Sequence, residues 1–106
     1  MNSPFRRFEM LLPRKFNDGT AVPDNLFADT LLELEEQFGA VSSETQTIKG
    51  RWRHGEQTYT DEHVKVFLDV PDSPENLNFF REYKEILKTR FQQIEIWMTT
   101  YPLDVI

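Results

Sequence analysis

The chain has 106 residues, 39% of them hydrophobic and 28% charged, with a net charge of -6 and a sequence pI near 4.8. That length suits a single domain, taken as 1–106, whose one core buries roughly two-thirds of the unfolded surface, and nine Phe, three Tyr and two Trp exclude a disordered chain. The acidic balance argues against nucleic acid or an anionic membrane as partner, and the absence of cysteine excludes disulfides and thiolate metal sites.

At the N-terminus, Met1, Asn2, Ser3, Pro4, Phe5, Arg6 and Arg7 present no apolar run behind the arginines, so no signal peptide is expected. No stretch approaches the ~20 apolar residues of a membrane span. A cytoplasmic location fits these features. The first strand is expected over 5–12, where Phe8, Met10 and Leu12 alternate with Arg7, Glu9 and Leu11. Pro13 ends it, and Asn17, Asp18 and Gly19 form a tight turn.

A helix follows over 23–38. Pro23 suits its first turn, Phe27, Leu31, Leu34 and Phe38 make its apolar stripe, and Gly39 is placed as a left-handed cap. A long polar strand over 41–53 alternates through Ile48, Gly50 and Trp52 towards a hairpin tip at His54 and Gly55. The return strand over 57–70 puts Val64, Val66, Leu68 and Val70 on one face and His63, Lys65, Phe67 and Asp69 on the other. Asp61 and Glu62 are expected to mark a bulge.

Ser73 is an N-cap and Pro74 a first helical residue for a second helix over 74–92, striped by Phe80, Tyr83, Leu87 and Phe91. The last strand is expected from Ile94, through Ile96 and Met98. This order predicts an α+β, ferredoxin-like βαββαβ fold: a four-stranded antiparallel sheet with two helices on one face and the first and third strands central. The expected inward set is Phe8, Met10, Leu12, Val64, Val66, Leu68, Ile94, Ile96 and Met98.

The other sheet face then carries the candidate ligand or interface residues Glu9, Arg51, His63, Lys65, Phe67, Trp97 and Tyr101, with Arg7, Leu11, Lys49 and Glu95 beside them. Half charged and half aromatic, such a face is a docking surface or a solvated one. The leading expectation is a non-enzymatic interaction module that forms a homodimer through this face. The alternative is a dimeric α+β barrel-type binder or enzyme of small molecules, with a pocket around His63, Glu9 and Arg51. An acidic helix face at Glu33, Glu35 and Glu36 leaves room for another protein partner.

No nucleic-acid signature is present, because the first strand offers Glu9 and Leu11 where an RNA-binding sheet offers stacking rings. No catalytic set, cofactor motif or metal-ligand spacing stands out. His63, among Asp61, Glu62 and Lys65, is a candidate pH-sensitive group. The polar loop of Arg14, Lys15, Asn17, Asp18 and Gly19 reads first as an ordinary turn, with an anion site before a helix as the alternative. Arg51, Trp52 and Arg53 are either an edge-strand cap over the core or a cation–π or anion-binding spot. The run from Asn17, Asp18 and Gly19 through a helix to Gly50, Arg51 and Trp52 resembles small bacterial ferredoxin-like domains of unknown function. That resemblance implies the fold and assigns no residue a role.

Overall fold

The computed structural model describes residues 4–106; Met1, Asn2 and Ser3, on which part of the N-terminal reading rests, lie outside them. Six elements follow in order: β1 (Phe5–Pro13), α1 (Asp24–Phe38), β2 (Ser42–His54), β3 (Gln57–Pro71), α2 (Pro74–Arg90) and β4 (Met98–Leu103). The strands form one antiparallel sheet in the order β2-β3-β1-β4, so β1 and β3 are central, as a ferredoxin-like α+β fold requires.

Alternation builds the core. Phe8, Met10 and Leu12 of β1 and Val66, Leu68 and Val70 of β3 are buried against Leu34 of α1 and Phe80, Tyr83 and Leu87 of α2. Phe8 stacks on Phe80 with ring centroids 3.9 Å apart, and Phe38 lies 5.4 Å beyond on the same ring. The helix ends follow local chemistry. Gly39 takes φ 85° and donates to Glu35 O, while Ser73 Oγ accepts from Asn76 N at 3.2 Å ahead of Pro74.

A polar clamp joins the helices. Thr30 is fully buried, donates to Leu26 O and accepts from Arg90 Nη1 at 2.8 Å. Arg90 Nη2 meets Glu33 Oε2 at 2.7 Å, and Tyr83 OH donates to Glu33 Oε1 at 2.8 Å. The Arg90 guanidinium holds the Glu33 carboxyl below its usual range, and burial beside that carboxylate pushes the Tyr83 phenol up.

Three expectations are corrected. The second helix stops at Arg90, not at residue 92, because Gln92 adopts φ 54°; its N–H donates to Thr89 O and that of Gln93 to Lys88 O, a Schellman closure without glycine. The last strand therefore begins at Met98, opposite Met10, rather than at Ile94. Ile96 enters the core from the connection, whereas Ile94 is 91% exposed and leaves the inward set; Val64 and Met98 are only half-buried.

The irregularity of the hairpin also lies elsewhere. Asp61 and Glu62 pair regularly with Gly50 and Lys49, and the register shifts in β2 between Glu44 and Ile48. Arg14 reaches into that bulge, Nη2 donating to Thr45 O at 2.8 Å. Beyond His63, β3 has no β1 partner. Residues 49–54 and 57–62 thus form a two-stranded arm, turned at Gly55 with φ 63°, in a molecule 46 Å long and 25 Å thick.

Phe80→Ala is expected to lower unfolding stability by about 3–5 kcal/mol, whereas Ile94→Ser should change it by less than about 0.5 kcal/mol; urea denaturation of both variants checks the boundary of β4. Glu33 has a depressed carboxyl, so its stabilisation is complete above the unfolded value near pH ~4.3 and disappears as pH falls through the lower folded value. Glu33→Gln should cost about 1 kcal/mol at neutral pH, given its partial exposure, with the gap closing in acid. Unfolding curves across that acid range supply the check.

Candidate functional site

Both helices cover one face of the sheet and leave the other open. Cross-strand pairs share a face, so the register assigns the open one. It carries Arg7, Glu9 and Leu11 of β1, His63, Lys65, Phe67 and Asp69 of β3, and Tyr101 of β4. Trp97 stands just ahead of β4, its carbonyl accepting from Leu11 N at 3.0 Å, and is 66% exposed.

The charges of this face are satisfied by one another. Arg7 grips Asp69 with two hydrogen bonds of 2.7 and 3.0 Å, which hold the Asp69 carboxyl below its usual range. Lys65 Nζ lies 3.4 Å from Glu9 and 3.7 Å from Glu44, and Tyr101 OH donates to Glu9 Oε1 at 3.0 Å. Phe67 is flanked by both cations, the Arg7 guanidinium 4.9 Å and the Lys65 ammonium 5.5 Å from its ring centroid. Phenol, ammonium and ring thus converge on the Glu9 carboxylate.

Glu9, Lys65, Phe67 and Tyr101 are brought together as parity predicts, with Trp97 at the β4 margin. His63 is on the same face, paired with Pro13 and Ile48. Arg51 is not: it pairs with Thr60, on the side opposite His63, as does Lys49 with Glu62, and Glu95 turns to α2, where it holds Lys84 at 2.8 Å. The apolar residues of β2, Ile48 and Trp52, take the open side instead. Trp52 therefore caps no core.

Trp52 stacks on Tyr59 at 4.4 Å and donates from Nε1 to Asp61 Oδ2 at 2.7 Å, with both rings partly exposed. Reasoning from apolar alternation missed this cluster. Counting outward from the Gly55–Glu56 turn finds it, because 54 then meets 57, 52 meets 59 and 50 meets 61.

The loop after β1 spends its amides internally. Phe16 N donates to Thr20 O, Gly19 N to Phe16 O and Thr20 N to Asp18 Oδ1, so the loop is the ordinary turn expected of it and leaves none of these amides for an anion. Two open depressions, of about 670 and 610 Å3, lie along α2 around Glu85 and Thr89, away from the open face. Among the described residues no group of three or more histidines and carboxylates is placed to hold a metal, and no helix is long and apolar enough to cross a membrane.

No family model matches the chain, and no curated protein matches its sequence. Solved structures do. A phage SAM lyase in complex with S-methyl-5'-thioadenosine superposes with a TM-score of 0.69 at 14% identity, covering 96% of this chain and 84% of that one. A phage SAM lyase in its apo state gives 0.59 at 17% identity, covering 92% and 78%. At such identities the likeness shows the fold: this chain shares, nearly end to end, the ferredoxin-like architecture of those lyases.

Proposed function

We propose that residues 1–106 act as one cytoplasmic domain that binds a thionucleoside of the S-adenosylmethionine class on the open sheet face. The observation that carries this reading is the near end-to-end likeness to an enzyme captured with S-methyl-5'-thioadenosine. It is an analogy of fold, and the chemistry of the face supports it. An adenosyl sulfonium offers a cation and a purine. Glu9 supplies a carboxylate, shared with Lys65 and Tyr101, for the first, and the exposed rings of Trp97 and Tyr101 supply π-faces for both. The net charge of -6 draws a cationic ligand towards the molecule.

Cleavage in such a site breaks the bond between sulfur and the aminobutyrate carbon. The electron pair goes to sulfur and leaves a neutral thioether, while the carbon fragment loses a proton or closes on its own carboxylate. A flat sheet face does not exclude water by itself, so a second copy laid over it would complete the pocket. His63 and Lys65 would line that pocket, and Arg51 would not.

Calorimetry with S-adenosylmethionine and S-methyl-5'-thioadenosine tests the reading. Both are expected to bind, and Glu9→Gln should weaken the sulfonium about tenfold while sparing the neutral thioether. Release of S-methyl-5'-thioadenosine on incubation would mark a lyase rather than a binder. No heat with either compound at millimolar concentration would remove the proposal.

A non-enzymatic module that pairs through the same face is the second reading. It is favoured by the 66% exposure of Trp97 beside charges already paired. Covering such a face strands no charge. Light scattering should then show a dimer that Trp97→Asp or Phe67→Asp converts to a folded monomer. A monomeric unsubstituted chain would rule that reading out.

A further inference from the structure

The arm has a second face, opposite the Trp52–Tyr59 stack. Lys49, Arg51 and Arg53 stand there at alternate positions of β2, all exposed. Among the described residues none of the three belongs to an ion pair, although Glu62 is opposite Lys49. In the body six cations, Arg6, Arg7, Lys65, Lys84, Lys88 and Arg90, each hold a carboxylate, while Arg14, Lys15 and Arg81 have none among the described residues, so the arm alone lines up three such cations on one strand face. At ~3.3 Å per strand residue the three arm cations span about 13 Å.

The complement is α1. It carries Asp24, Asp29, Glu33, Glu35 and Glu36 and no lysine or arginine. Glu33 is taken by Arg90, and among the described residues the other four are in no ion pair. Asp29, Leu32 and Glu36 follow one another on one helix face over two turns, about 10 Å at 1.5 Å per residue. Leu32, 53% exposed, lies between the two carboxylates as an apolar centre.

We propose that the arm of one copy docks its basic face on α1 of a second copy, with Lys49, Arg51 and Arg53 meeting Asp29 and Glu36 around Leu32. Matching length and opposite charge fix the occupant. The arm's cations reach no carboxylate of their own α1, and the net charge of -6 disfavours a nucleic acid as the polyanion. Reciprocal docking of two arms gives a twofold assembly. The contact is on the side of the sheet away from the ligand face, so it requires no ligand and adds to any pairing there.

The test is the solution mass of the full chain by light scattering at low and high salt, with circular dichroism to confirm folding. The expected result is an assembly at low salt that dissociates at high salt. The double variants Arg51→Glu with Arg53→Glu, and Asp29→Lys with Glu36→Lys, should each lose this assembly, and an equimolar mixture of the two should regain it. All four positions are exposed, so both variants should fold. Unchanged mass in either variant, failure of the mixture to recombine, or a low-salt monomer overturns the proposal. A monomer that gains mass with a short oligonucleotide overturns it in favour of the other polyanion. Loss of assembly in Trp97→Asp with the arm variants unaffected assigns association to the open face instead.

Discussion

Phe8 stacks face to face on Phe80, and this contact between the central strand and the second helix commits β1 to one parity. Side chains alternate with period two, so an inward Phe8 obliges Arg7 and Glu9 to face outward. The pairing of β1 with β3 and β4 then carries that choice to Asp69, Phe67, Lys65 and Tyr101. A slip of one residue would put Arg7 and Glu9 among the rings of the core, at a desolvation cost of several kcal/mol each. The open face is thus as tightly specified as the core.

The same logic explains what the sequence disclosed. Alternation in β1 from Phe8 and in β3 from Val64 onward runs against a helical layer, so the inward positions there are all apolar, and Glu9, Lys65, Phe67 and Tyr101 could be grouped from parity alone. In β2 that equation fails. Ile48 and Trp52 are its apolar residues, but the arm has no helix above it and hence no inside. Assigning them inward turned Arg51 to the wrong face. The alternation of Ile94, Ile96 and Met98 misled for another reason. A positive φ at Gln92, where no glycine signals it, sends Ile96 into the core from a loop and leaves Ile94 in water. The bidentate Arg7–Asp69 pair was out of reach because it depends on register between strands far apart in the chain.

The two faces treat charge differently. On the open face each cation has its carboxylate, and two of them flank Phe67. Ion pairs made before a partner arrives have already met part of the ordering cost of holding long side chains. Such a face can accept a ring or another sheet without stranding a charge, which is the common ground of the ligand and pairing readings.

The arm poses the opposite problem. A two-stranded ribbon is marginal by itself in water, and this one is exposed from 51 through 60. It retains order through the Trp52–Tyr59 stack, worth about 0.5–1.5 kcal/mol beyond burial, and through the indole N–H held by Asp61. Neither ring contributes to the core, so the body gains nothing from their placement. The stack braces the strands on one side and leaves three unpaired cations displayed on the other. Within the body, Arg6, Arg7, Lys65, Lys84, Lys88 and Arg90 are matched with carboxylates. On the arm Glu62 stands opposite Lys49 without closing an ion pair among the described residues, Asp61 is held by Trp52 on the other face, and α1, with acids and no bases, offers the complementary charge.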